Sequence, residues 1–296
     1  MSAMSNTTDL GEWRTPGHSS GLIEVIRQPY LTSLIVHKEL RQRYRGSIFG
    51  MLWSYAKPAV QFLVFYFAIG VFMRMNQQVE NYVIYMFSGV TLINYFSEVF
   101  GNATRSVNGN SALVKKIYLP RELFPISALW VGFVHFVPQV VILLVGALIM
   151  GWAPSILGIL AILVGFAIVS LFALGLGLFA SAINVFYRDA ENFVDLLLMM
   201  ATWISPVLYT WSMVHDVLAS RLGGVLWYAY QANPMTVAVE LFHYGFWDAT
   251  LPAETGGTVP SNMLAWGIIA MLASALTVVL GELTFRRMDA KFAQEL

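Results

Sequence analysis

The chain contains no cysteine, and only 11% of its 296 residues are charged. Without thiols there is no disulfide framework, no thiolate metal site and no cysteine nucleophile, and the redox state of its compartment leaves no mark. Roughly a quarter of the residues in a soluble globule carry charge, so a chain that is 57% hydrophobic does not belong to that class. Positive and negative charges balance to zero, and no basic field invites a nucleic acid. Phosphate-binding and hydrolytic motifs are missing as well. None of the lysines, Lys38, Lys57, Lys115, Lys116 and Lys291, is followed by Ser or Thr, as a P-loop requires. The 5 histidines are scattered without an HExxH pair, and no GxSxG elbow occurs.

What the chain does have is long uncharged apolar intervals. Crossing a bilayer core of about 30 Å takes about 20 mostly apolar residues. Pro58–Met73, between Lys57 and Arg74, is one such interval, and Asn81–Ser97 is a second. Leu123–Tyr187 contains no Lys, Arg, Asp or Glu and is about three crossings long. Gly151-Trp-Ala-Pro-Ser155 divides it into a hairpin with a tight outer turn. Leu196–His215 and Gly256–Gly281 supply the fifth and sixth. The expected spans are therefore about 56–74, 81–100, 124–150, 155–184, 192–213 and 258–283. With both termini inside, every Lys and Arg except Arg74 and Arg221 falls on inner segments, as the positive-inside rule requires.

A seventh crossing at Leu222–Val239 would put Arg286, Arg287 and Lys291 outside, and Asn233-Pro234 would interrupt it. That interval reads instead as short re-entrant or interfacial helices within an outer segment at 218–248; an aromatic-rich surface loop is the alternative. The sequence thus predicts an all-α integral membrane protein. Cytoplasmic tails at 1–28 and 286–296 flank a transmembrane domain at 29–285, and the polar first 20 residues are expected to form a disordered tail without a signal sequence.

The inner-facing segments carry the polar apparatus. Pro29 can open a helix, and Leu31, Leu34, Ile35 and Val36 alternate with Lys38, Glu39, Arg41 and Arg45. This predicts an amphipathic helix on the inner membrane surface, either a plain anchor or a lever. Arg41, Arg43 and Arg45, with Lys57, form a basic collar before the first span. Gly101–Leu113 is small and polar, and a basic juxtamembrane stretch follows it. Glu98, Glu240 and Glu282 are expected at span ends or in the outer segment, leaving the span interiors uncharged, which argues against an ion-coupled carrier. His135, deep in the third span, reads as a neutral histidine bonded to a neighbouring helix or as a proton relay.

Several segments also resemble one family. RYRGSIFGMLWSYAKP (Arg43–Pro58) resembles the approach to the first span of ABC-2-type transporter permeases, and LVKKIYLPRELFP (Leu113–Pro125) the approach to their third. NVFYRDAENF (Asn184–Phe193) is similar to their inner loop between spans four and five. SPVLY (Ser205–Tyr209) and NPM (Asn233–Met235) resemble their outer elements. The matches run in order over roughly residues 30–240. They point to the polysaccharide exporter group, whose members export lipid-linked O-antigen, teichoic acid or actinobacterial galactan.

The resemblance implies a transport subunit rather than an enzyme. It would sit in the bacterial cytoplasmic membrane as a homodimer of permeases with two cytoplasmic ABC ATPase subunits, and would contact membrane lipid. ATP and Mg would be bound by the partner, with no cofactor or metal in this chain, and the cargo would be a lipid-linked polysaccharide. By the same resemblance, ATPase coupling falls to Lys38, Arg41, Arg43 and Arg45, and to Asn102, Arg105, Asn108, Lys115 and Lys116. Phe62, Phe65, Tyr66, Trp203 and Tyr209 are candidates for the polymer path, since aromatic faces stack on sugar rings; contact with lipid or neighbouring helices is the alternative. Pro206, which would free the Thr202 carbonyl and kink span five, and Pro234 are candidate hinges. Gly175, Gly177, Ala180, Ser181 and Ala182 suit close helix contact. Two other readings stay open. One is an ABC-2 permease for a small hydrophobic drug or lipid. The other is a membrane glycosyltransferase or ligase using the outer cluster Glu240, His243 and Asp248.

Overall fold

Charge-free intervals become helices because backbone polar groups in hydrocarbon can be satisfied only within their own segment. The computed structural model describes residues 21–117, 119–220, 224–252 and 262–296, without the side chains of Lys57 and Ala293. Among the described residues every regular element is helical. The predicted polar tail at 1–20, the Lys57 side chain of the collar, Arg221 and the first residues of the 258–283 span lie outside this description.

The elements run as follows. Helix α1 (Leu22–Arg27) leads into α2 (Pro29–Tyr44). A 3-10 turn (Gly50–Leu52) opens α3 (Trp53–Phe65), which widens into π-type turns over Tyr66–Phe72. Then come α4 (Met75–Gln78), α5 (Tyr82–Gly109), α6 (Ser111–Lys116), α7 (Leu123–Ile149), α8 (Ile156–Phe186) and α9 (Ala190–Ile204). The outer segment holds α10 (Trp211–Leu218), α11 (Val225–Gln231) and α12 (Pro234–Phe242), which ends in π-type and 3-10 turns through Thr250. Helices α13 (Met263–Asp289) and α14 (Phe292–Glu295) close the chain. Among the described residues, five helices are long and apolar enough to cross a membrane: Gly50–Phe72, α5, α7, α8 and α13.

Three expectations need correction. The fifth expected span, 192–213, is not one helix. Helix α9 stops at Ile204 after 15 residues, about 22 Å of rise. Ser205 is extended at ψ 151°, as the residue before a proline prefers to be. Pro206 therefore ends the helix rather than kinking it, and the chain from Ser205 to Leu208 is buried without helical form. Second, α5 does not end near residue 100 but continues to Gly109, with Gly101, Ala103, Thr104 and Val107 on its buried side. Third, α2 is present but its apolar residues do not gather on one face: Ile35 is buried, whereas Tyr30 and Leu34 are exposed.

Helix α5 is the central post, with 72% of its most apolar window buried, against 6% for Gly50–Phe72. It packs on α7, α8 and α9. The most extensive pair is α8 with α13, where a Cβ on Gly175 would stand 2.5 Å from the backbone of Thr277 and Val278. Between α7 and α8, Gly151 takes φ 85°, and Ser155 caps α8 by accepting from the Gly158 N–H at 3.0 Å. The Trp152 indole donates to the Gly245 carbonyl at 2.9 Å, tying that turn to the outer segment. There, Asn233 caps α12 by accepting from the Met235 N–H at 3.1 Å, with Pro234 in the first helical turn. Met235 to Phe242 are all buried.

Where α1, α5, α7, α13 and α14 meet, a second core gathers Val25, Val107, Phe124, Phe285 and Phe292. The Leu22 N–H donates to Glu282 at 3.0 Å. Arg121 donates to the Asp289 carboxylate at 2.7 Å and also to its carbonyl.

Candidate functional site

Helix α2 lies against α7 and ends at Tyr44, where Arg45 turns extended. Its last turn sends two side chains into the bundle. Arg43 forms an ion pair with Glu98 of α5 and lies 3.1 Å from His135 Nδ1 of α7. The Tyr44 hydroxyl lies 2.6 Å from His135 Nε2 and 2.5 Å from Ser54 Oγ of α3. Asn102, one turn past Glu98, donates to the same carboxylate at 2.7 Å. Glu98 lies in the second half of α5, four turns from its start, and its charge is held in a network. His135 is hydrogen-bonded to its neighbours, which was one of its two readings.

Above this network lies a cavity of about 620 Å³ between α2, α3, α5, α7 and α9, reaching Trp53, Gln61, Asn94, Gln139 and Leu198. A second cavity of about 290 Å³ continues towards the inner end of α5 and shares Arg43, Asn102 and Arg105 with the first. Together they make a polar crevice roofed by α2. At its inner end Lys38 bonds Asn110 and lies 3.1 Å from Glu39, and Asn110 donates to Glu39 at 3.1 Å. Arg105 donates to both Asp195 oxygens at 2.6 Å and lies 3.5 Å from Glu191. Each of these cations is matched by a carboxylate. Among the described residues no His, Asp and Glu cluster could hold a metal ion.

The nine coupling candidates therefore separate. Lys38, Arg43, Asn102 and Arg105 line or brace the crevice. Asn108 instead donates to the Asn184 carbonyl at 2.9 Å and joins α5 to α8. Arg41 and Arg45 are exposed near the end of α2. Lys115 and Lys116 are exposed on the last turn of α6, where cations suit the helix dipole.

The aromatic candidates come together where α3 meets the end of α9. Phe62 stacks with Tyr66 at 6.4 Å, and Phe65 meets Trp203 edge-on at 6.4 Å. The Tyr209 hydroxyl donates to the Trp203 carbonyl at 2.6 Å. Pro206 and Pro234 stand in or beside breaks between helices. Sequence reasoning missed Glu98, Asn94, Gln139 and Asp195. One signal was available: Glu98, Asn102 and Arg105 recur at the spacing of a single helix face.

The chain matches the family described as ABC-2 type transporter over residues 30–247. It is 29% identical over 269 residues to the O-antigen export system permease protein RfbA of Klebsiella pneumoniae, covering 90% of this chain and 95% of the relative. It is 30% identical over 238 residues to the protein of the same name from Myxococcus xanthus, covering 78% of this chain and 87% of the relative.

Proposed function

Because the chain belongs to the ABC-2 type transporter family, we propose that it is the membrane subunit of an ATP-driven exporter moving a lipid-linked cell-envelope polysaccharide outward across the cytoplasmic membrane. The chain is a multi-pass transport subunit without a P-loop. The observation that carries the cargo assignment is the similarity to O-antigen export permeases along 90% of the chain. Galactan and teichoic acid are cargoes of the same class.

ATP and Mg would be bound by a separate ATPase, which drives such a subunit. In this reading α9 and the buried turn after it form a sixth crossing, which returns the C-terminus to the inner side and keeps the basic residues there. Gly50–Phe72 is almost unburied, and α9 exposes Phe193, Leu196, Met199 and Trp203. That unpartnered flank suits a second copy of the chain, and a homodimer with two ATPases follows. The polymer would pass the aromatic patch of Phe62, Phe65, Tyr66, Trp203 and Tyr209 on this flank. Lys115, Lys116, Arg41 and Arg45 face the cytoplasm as docking groups, while Arg43 and Lys38 link α2 to the bundle and carry its motion inward. The breaks at Pro206 and Pro234 would serve as joints.

Depletion of the protein in a polymer-making bacterium tests this reading. Surface polymer should disappear and lipid-linked polymer should accumulate inside. Unchanged surface polymer, or ATP-driven transport by the purified chain alone, overturns it.

A further inference from the structure

The link between α2 and the first span packs against little. Gly46 and Gly50 take φ 75° and 50°, and an added Cβ at either would meet nothing within 4 Å. Ile48, between them, is 95% exposed. A backbone with so few contacts yields readily and passes little of a displacement of α2 on to α3. Side chains join the two helices instead. The Tyr44 hydroxyl, on the last turn of α2, lies 2.5 Å from Ser54 Oγ in the first turn of α3. Among the described residues no other side-chain hydrogen bond ties α3 to another element. Apolar contacts such as Phe62 against Phe87 at 4.8 Å also hold the span, but they are non-directional.

The same hydroxyl lies 2.6 Å from His135 Nε2 of α7, and the Tyr44 ring meets the imidazole edge-on at 6.1 Å. Arg43 aims a guanidinium N–H at Nδ1 from 3.1 Å. Arginine has donors only, so Nδ1 accepts and the imidazole hydrogen sits on Nε2. That hydrogen goes to the Tyr44 oxygen, which leaves the Tyr44 O–H for Ser54. The bonds therefore run in one direction, from Arg43 through His135 and Tyr44 to Ser54, and join α2, α7 and α3 at one point. Tyr44, Ser54 and His135 all line the larger cavity, so this junction holds its α3 wall against α7.

We infer that Tyr44 is a positioning residue of the export cycle, whose hydroxyl latches the first span to α7 and delivers the movement of α2 to it. The inference rests on the exporter reading for the cycle that the latch serves. Tyr44→Phe keeps the ring against His135 and loses only the hydroxyl, whereas Ser54→Ala removes the partner on α3.

The absence of native cysteine provides a direct test. Ser97→Cys places a thiol on the cavity wall, and its alkylation by N-ethylmaleimide is followed in the permease–ATPase complex in nanodiscs. Leu157→Cys, exposed at the start of α8, is the reference. Tyr44→Phe and Ser54→Ala should each speed alkylation at Ser97→Cys about fivefold, the factor for one lost hydrogen bond, and leave Leu157→Cys unaffected. The double variant should be no faster than Tyr44→Phe, because both changes remove the same bond. Ser54→Thr, which keeps a hydroxyl, should match the parent. In cells, surface polymer should fall severalfold with Tyr44→Phe or Ser54→Ala and not with Ser54→Thr, while the purified complexes still hydrolyse ATP. Should Tyr44→Phe fail to assemble, Ser54→Ala and Ser54→Thr carry the same comparison.

Parental alkylation in both single variants, additive effects in the double variant, or Ser54→Thr as fast as Ser54→Ala would overturn the latch. So would equal acceleration at Leu157→Cys or loss of ATP hydrolysis. Faster alkylation with parental surface polymer in both variants would overturn the positioning role. Loss of surface polymer on depletion together with parental alkylation removes this inference and leaves the exporter reading standing. Faster alkylation with surface polymer unchanged on depletion keeps the latch and removes the exporter reading.

Discussion

Arg43 and Glu98, 55 residues apart in the chain, meet as an ion pair beneath the last turn of α2, with His135 Nδ1 3.1 Å from the guanidinium and 3.3 Å from the carboxylate. The contact ties a helix that precedes the first span to the interior of the second and third. A displacement of α2 therefore acts on α5 and α7 directly. The two side chains are 35% and 25% exposed, so solvent screens the pair in part.

Arg43→Gln leaves the Glu98 carboxylate with His135 and Asn102, and Glu98→Gln leaves the guanidinium without its countercharge. Each single change should cost about 1–3 kcal/mol, and the double change should cost less than the sum of the two. Thermal unfolding of the detergent-solubilised protein measures all three. Strict additivity would mean that the two side chains do not interact energetically.

Gly281 faces the Gly175 carbonyl so closely that no Cβ fits without movement. Gly281→Leu should destabilise by about 1–3 kcal/mol or more through overpacking. Gly267→Ala, on the same helix with nothing within 4 Å of the added carbon, should be nearly neutral. Equal melting temperatures for the two variants would contradict the observed contact.

Arg121 and Asp289 are 16% and 5% exposed and share two hydrogen bonds. Arg121→Ala strands a buried carboxylate and should cost about 3–5 kcal/mol. Asp289→Asn, which keeps an acceptor for the guanidinium, should cost less. Protease sensitivity at the inner end of α13 reports the loss; comparable resistance in Arg121→Ala and the parent would show the pair to be dispensable.

Lys115 and Lys116 point into solvent on the last turn of α6. Reversing both to Glu should leave stability within about 0.5 kcal/mol per site while reducing co-purification of the ATPase. Undiminished co-purification and export would make this turn a passive connector.

Tags at the two ends of the chain should both be shielded in intact cells and exposed after permeabilisation. One tag reachable from outside would mean that α9 does not cross the membrane. Counting long helices cannot settle this, because α9 has only 15 residues.

The spans formed by α5, α7, α8 and α13 were legible as charge-free intervals, since cost in hydrocarbon is a property of each residue and needs no knowledge of neighbours. The GWAPS turn and the start of α12 at Pro234 were legible for a similar reason: glycine and proline act locally. The end of α5 was not. Asn102, Arg105, Ser106 and Asn108 made that stretch look like a loop, yet Val99, Ala103 and Val107 recur every fourth residue and are buried. The break after Ile204 was misplaced because Pro206 was weighed as a kink within a helix, whereas the buried turn from Ser205 to Leu208 depends on contacts such as Tyr82 and Tyr85 donating to the Leu208 and Pro206 carbonyls. The crevice was invisible for a related reason. Its partners, Arg43 with Glu98 and Arg105 with Asp195, come from segments far apart in sequence, and composition says nothing of such meetings.

The near-touching backbones of α8 and α13 have one more consequence. Where two rods meet this closely at Gly175 and Gly281, neither can roll about its own axis without backbone striking backbone, so the pair should turn as one rigid unit in any rearrangement.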